Sequence, residues 1–187
     1  MISAILATLA VIAPPQDARA AHPETPQRFE GRGSAFVQGT LNVAIGERAT
    51  LRRNAQGDYD LVAVDRIRME DVLPPTEGSS APAGPPAGVL RFGLHARRDV
   101  GSILKVENGE EEGLKYVGLI VRYVGGQASG PRETSVCTVP SGLMNFEHWP
   151  EPVIQVVIGS LQRSDDALPV CPPHVEPAPS QPPAPVS

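Results

Sequence analysis

Hydrophobic and polar residues alternate with a period of two in several short stretches of the chain. Residues 41–46 place leucine, valine and isoleucine at every second position, with small or polar residues between them. Residues 59–69 alternate in the same way after a cluster of turn-forming residues at 54–58. Because successive side chains of a strand point to opposite faces, this period predicts half-buried β-strands, joined here as a hairpin or meander.

The second half of the chain contains the more apolar stretches. Residues 114–124 are apolar on both faces, which predicts a strand in the interior of a sheet. Residues 140–152 are predicted to be a loop. The remaining predicted strands are short and rich in valine, leucine and isoleucine, and they cover residues 89–96, 103–106, 134–139 and 153–161.

These elements predict an all-β fold. About seven or eight short strands with closely spaced turns are typical of an antiparallel β-sandwich, of which the immunoglobulin-like arrangement is one form. A small barrel is the alternative architecture. The long helical repeats that parallel βαβ units require do not occur after residue 20.

The amino terminus has the layout of a removable signal peptide. Residues 1–13 are almost wholly apolar and are followed by Pro14 and Pro15. A helix of that length rises about 20 Å, too little for a bilayer core of about 30 Å. Small residues at Ala18 and Ala20 predict cleavage after Ala20, although no basic residue precedes the apolar run; a buried N-terminal helix is the alternative.

Proline-rich stretches divide the rest of the chain. We expect an extended leader at 21–32, one β-sandwich domain at 33–171, and a disordered proline-rich tail at 172–187. Residues 74–88 combine proline, glycine, serine and alanine without periodicity and predict a long flexible loop. A linker between two small modules is the alternative for that stretch, but the segment before it is near the size at which a core cannot support itself.

Charge and length exclude two classes of partner from the expected function. The net charge is −5, and the basic residues are interspersed with acidic ones rather than gathered in a stripe. Nucleic-acid binding requires a concentrated positive face, so no nucleic-acid partner is predicted. No apolar run after residue 20 is long enough to span a membrane, so no transmembrane segment is predicted.

Two cysteines, Cys137 and Cys171, are present in the chain. In an exported protein a pair of thiols is normally oxidised, so a disulfide between them is predicted.

The stretch Phe146, Glu147, His148 and Trp149 is the candidate ligand-contact loop. Its aromatic residues predict a plug over one end of the sandwich, with ligand contact as the alternative. Neighbouring residues of a strand point to opposite sides, which argues against Glu147 and His148 as an acid–base pair. No nucleophile or metalloprotease motif accompanies them, so no catalytic residue is assigned.

Metal binding is considered separately because exported sandwiches can carry copper or zinc. The weak candidates are His148, Met144 and His95, but their spacing follows no ligand pattern. We therefore predict neither a metal site nor a cofactor.

Several short stretches resemble small exported bacterial β-sandwich proteins of unassigned function. They are residues 104–108, 114–116, 136–140 and 146–150. The resemblance implies a fold and a compartment, periplasmic or secreted, but no functional residue. The expected function is a non-enzymatic interaction or structural module that contacts an envelope protein or polymer. A periplasmic metal-binding protein and a divergent hydrolase are the alternatives.

Overall fold

The computed structural model of the protein describes residues 33–76 and 83–172. The predicted signal peptide, the leader, the middle of the 74–88 loop and all but the first residue of the predicted tail lie outside these residues. The described part contains eleven β-strands and one short 3-10 turn, Met69–Asp71, and no α-helix. It contains no helix with the length and apolarity needed to cross a membrane.

The strands form two sheets, and every strand pair within them is antiparallel. Along the chain the strands are β1 (Ala35–Val37), β2 (Thr40–Ala44), β3 (Glu47–Arg53), β4 (Tyr59–Arg66), β5 (Leu90–Arg97), β6 (Gly101–Asn108), β7 (Gly113–Val124), β8 (Gln127–Ala128), β9 (Arg132–Thr134), β10 (Met144–Trp149) and β11 (Val153–Ser164). Sheet A has the order β1-β2-β11-β7, with β8 and β9 on the far side of β7. Sheet B has the order β10-β6-β5-β3-β4.

One apolar core fills the space between the two sheets. Its residues recur at every second position, as the alternation predicted, with Leu41 and Val43 on β2 and Phe92 and Leu94 on β5 fully buried. Tyr116 of β7 meets Phe92 edge-to-face, with ring centroids 6.0 Å apart. The predicted all-β sandwich is therefore confirmed, whereas its immunoglobulin-like form stays a prediction.

A second apolar cluster lies on the outer face of sheet B. After β4 the chain crosses back over that face as a segment that we call the strap, residues 67–76, which includes the 3-10 turn. Ile67, Met69 and Val72 of the strap pack with Ile103 of β6. Gly93 lies beneath the crossing, where an added Cβ would sit 3.1 Å from Ile67 Cδ1 and 3.3 Å from Val72 Cγ1. A Cβ at Gly93 would therefore be tight, and the side chains of Ile67 and Val72 would have to shift slightly to make room for it.

The predicted disulfide joins Cys137 to Cys171. It is reinforced by two hydrogen bonds between the same segments: Thr138 N–H donates to Val170 O (2.9 Å) and Val170 N–H donates to Thr138 Oγ1 (2.8 Å). The crosslink spans 34 residues and therefore removes about 3 to 4 kcal/mol of chain entropy from the unfolded state. It fastens the chain beyond β11 to the segment that precedes β10.

The structure corrects two of the predicted boundaries. Residues 140–152 were predicted to be a loop, but Met144–Trp149 forms strand β10 and pairs with β6 along its whole length. Its alternation is hidden because the inner positions carry Asn145 and Glu147, which are polar. The strand predicted at 134–139 is also wrong beyond Thr134, since only Val139 makes an isolated bridge, to Leu114.

Candidate functional site

Strand β10 is an edge strand of sheet B, with β6 on one side and no described strand on the other. Asn108 N–H donates to Leu143 O at 2.9 Å, which sets the phase of the hydrogen bonds between the two strands. Facing residues of an antiparallel pair alternate between bonded and non-bonded, so every second residue of β10 turns its N–H and C=O away from β6. The residues with outward-facing groups are Met144, Phe146 and His148.

The other long edge of sheet B, strand β4, is different in character. It carries Asp60, Asp65 and Arg66, and charges of this kind protect an edge from pairing with another chain. On β10 the only carboxylate belongs to Glu147, and it points toward the space between the sheets, where it accepts a bond from Cys137 N–H. Of the two long edges of sheet B, the edge at β10 is therefore the one whose outward-facing residues include no carboxylate, lysine or arginine.

The inner face of β10 carries a polar cluster around the Glu147 carboxylate. Its Oε1 accepts hydrogen bonds from Cys137 N–H (3.1 Å) and Asn145 Nδ2 (2.7 Å). Burial nevertheless raises the pKa of Glu147, because desolvation outweighs these two bonds. The buried Tyr116 hydroxyl has no hydrogen-bond partner among the described residues, and burial together with the Glu147 charge raises its pKa.

Trp149 and Phe146 lie on opposite faces of β10, so they do not form the plug that their closeness in sequence suggested. Trp149 is buried in the core between the sheets, and its Nε1–H donates to Thr134 Oγ1 at 3.0 Å. Phe146 packs on the outer face against the strap cluster. Trp149 therefore serves the fold, while Phe146 is part of the outer surface.

Glu147 and His148 point away from each other. His148 is exposed on the outer face, where its Nε2 lies 2.7 Å from Val100 O. The carboxylate of Glu147 bonds on the inner face, so the two side chains do not form an acid–base pair.

The three weak metal candidates are not gathered at one point. His95 and His148 flank Ile103 in one cross-strand row, which separates them by about 10 Å. The ring of His95 lies 3.1 Å from Ala96 O. Met144 lies four residues from His148 along β10, a distance of about 13 Å. Within the described ranges, no three His, Cys, Asp or Glu side chains are grouped so that they could hold a metal ion.

A cavity of about 490 Å³ opens between the strap and sheet B, beside the free edge of β10. Its apolar wall is formed by Leu73, Pro74, Pro75, Met144 and Phe146. Thr76 and charged residues of the strap and of sheet B complete the lining. The sequence did not indicate the strap half of this wall, since residues 74 and 75 were predicted only as the start of a loop.

The geometry of β10 suits the addition of one more strand. An extended segment laid along its free edge would bond to the outward groups of Met144, Phe146 and His148, and its alternate side chains would project beside the cavity. The site thus combines outward-facing main-chain groups with an adjacent cavity.

We expect Glu147→Gln to change how stability depends on pH. The pKa of Glu147 is higher in the folded than in the unfolded chain, so the favourable contribution of its protonated form is complete below about pH 4 and is lost as the pH rises. A glutamine keeps an oxygen that can accept from Cys137 N–H but does not ionise. Relative to the parent, the variant should gain stability as the pH rises above about 4, measured by urea unfolding.

Glu133→Gln makes the same change on exposed strand β9, outside the polar cluster, and is the matched control. A Glu147→Gln variant that loses stability only at neutral pH would show that the carboxylate is the form the fold prefers.

We expect Trp149→Ala to lower the free energy of unfolding by about 3 to 5 kcal/mol, because it empties a large buried site. Thr134→Val removes only the acceptor of the indole N–H and should cost about 1 to 3 kcal/mol. Both values come from denaturant unfolding. A Trp149→Ala variant that unfolds at the parent's denaturant midpoint would mean that the indole is not part of the core.

The functional interpretation of the site rests on its geometry alone. No protein family, no curated protein and no solved structure matches the chain significantly.

Proposed function

We propose that this protein is an exported, non-enzymatic β-sandwich that binds an extended segment of a partner protein of the cell envelope along strand β10. The observation that carries the proposal is the free edge itself. Its outward N–H and C=O groups have no partner among the described residues, and they lie beside a cavity with an apolar wall.

The main-chain bonds would supply affinity that depends little on the partner's sequence. Each bond is worth about 0.5 to 1.5 kcal/mol net, so a segment bonded to three residues of β10 is held weakly by its backbone alone. Side chains that enter the cavity would add apolar burial and selectivity.

The inner face of β10 supports this role by holding the edge in place. Glu147 joins the strand to Cys137, and the disulfide joins Cys137 to Cys171 beyond β11. Trp149 anchors the end of the strand in the core and to Thr134. A strand fixed in this way loses little conformational entropy when a partner binds.

Export is the second part of the proposal. It is supported by the apolar residues 1–13, by the small residues Ala18 and Ala20, and by a disulfide, which persists in oxidising compartments. Edman sequencing of the protein from its native envelope or medium should begin at Ala21. A protein recovered from the cytoplasm with Met1 in place would contradict export without touching the binding proposal.

Panning a phage-displayed library of random short peptides against the immobilised full chain tests the binding role. Peptides enriched on the parent should bind His148→Pro about three- to tenfold more weakly, because proline removes one outward N–H and leaves the bonds to β6 in place. His148→Ala, which keeps the N–H, reports the contribution of the side chain alone. Affinities are measured by fluorescence anisotropy.

Methylation of single amides in an enriched peptide provides a test that does not depend on how the variants fold. Only every second amide of a bound peptide faces β10. Methylation of those amides should abolish binding, and methylation of the amides between them should not. Enrichment of no peptide, or methylation effects without alternation, would refute docking at this edge.

A further inference from the structure

The basic residues that line the cavity beside β10 form ion pairs within the protein, whereas the acidic residues of the lining form none with any described residue. The two basic residues of its lining already have acidic partners: Arg48 pairs with Asp65 at 3.2 Å and Lys105 pairs with Glu107 at 3.1 Å. Their positive charge is therefore largely cancelled before any ligand arrives.

The two acidic residues of the lining belong to the strap and retain a net negative charge. Asp71 Oδ2 accepts a hydrogen bond from Arg68 N–H at 2.7 Å, which holds the 3-10 turn but brings no ion pair. Glu70 is exposed and makes no hydrogen bond or ion pair with any residue of the described ranges. The cavity thus combines an apolar wall with an acidic rim.

The rim is fixed in position because the strap is packed on both sides of it. Met69 and Val72 flank the acidic pair and are buried against sheet B. Gly93 allows that close approach, since a Cβ there would sit only 3.3 Å from Val72 Cγ1. The backbone that carries the acidic groups is therefore anchored on the outer face of sheet B.

We propose that this cavity receives the side chain of a lysine or arginine carried by the extended segment that binds β10. The inference rests on the proposed function and names the chemistry of the partner. A long aliphatic stem covers the apolar wall of Leu73 and Phe146, and the cationic head reaches Glu70 at the rim. The partner segment carries this basic residue on its outer face, with apolar residues two positions before and after it.

Four acetylated and amidated peptides of the sequence Ser-Val-Thr-X-Thr-Val-Ser, with X as lysine, arginine, norleucine or glutamate, are the probes. Their binding to the isotope-labelled full chain is followed by NMR through the amide shifts of Met144, Phe146 and His148. Lysine and arginine peptides should bind about two- to fivefold more tightly than the norleucine peptide, and glutamate more weakly still. The difference should shrink at high salt.

Glu70→Gln should remove most of the advantage of lysine over norleucine while leaving the norleucine affinity unchanged. Asp165→Asn makes the same change of charge at an exposed residue that follows β11 and does not line the cavity, and it should preserve the advantage. Glu70→Lys should reverse the order of the lysine and glutamate peptides. Equal binding of all four peptides, or a lysine advantage that survives Glu70→Gln, would overturn the inference and leave docking at β10 intact.

The remaining outcomes concern the edge itself. Binding of none of the four peptides would count against the proposed function as well as this inference.

In the free protein the outward amide hydrogens of Met144, Phe146 and His148 should exchange rapidly with solvent. Protection that grows with protein concentration would identify a second copy of the chain as the occupant, and protection at every concentration would identify a segment of the same chain. Either result would overturn the proposal that β10 binds a segment of a partner protein.

Discussion

The outermost strand of an open sheet pairs with a neighbouring strand on one side only, so the N–H and C=O groups on its other side bond to water or to another chain. The two-sheet architecture of this protein leaves such an edge at β10. The strand bonds to β6 through alternate residues and leaves Met144, Phe146 and His148 with outward groups. The position of the candidate site follows from this edge, because neither a helix nor another described strand covers it.

The two faces of β10 have different tasks. The inner face is structural: Trp149 is buried in the core, and Glu147 bonds to the backbone of Cys137, next to the disulfide. A carboxylate buried in this position is costly, as its raised pKa shows, yet it joins the edge of sheet B to the segment that runs toward sheet A. The outer face is free for contact, with Phe146 beside the strap.

The strap covers part of the outer face of sheet B and forms one wall of the cavity. Its apolar residues pack on Ile103, and its two proline residues line a cavity together with Met144 and Phe146 of β10. The absence of a side chain at Gly93 lets the strap pack closely on β5. The cavity, the acidic residues of the strap and the outward backbone groups of β10 thus lie close together. The partner that we propose is therefore an extended segment with a basic side chain.

Period-two alternation in the sequence determined the fold class, since the face to which a strand residue points depends only on its own position in the strand. The same local reasoning identified the central strand β7 and, from compartment and count, the Cys137–Cys171 disulfide. It failed for β10, because polar Glu147 faces inward there and is stabilised by Cys137, a residue from another segment. Only the tertiary structure decided that this stretch is an edge strand, that the strap passes over Gly93, and that Glu70 and Phe146 line the same cavity. These features depend on contacts between residues far apart in sequence, and no local pattern of hydrophobic and polar residues encodes them.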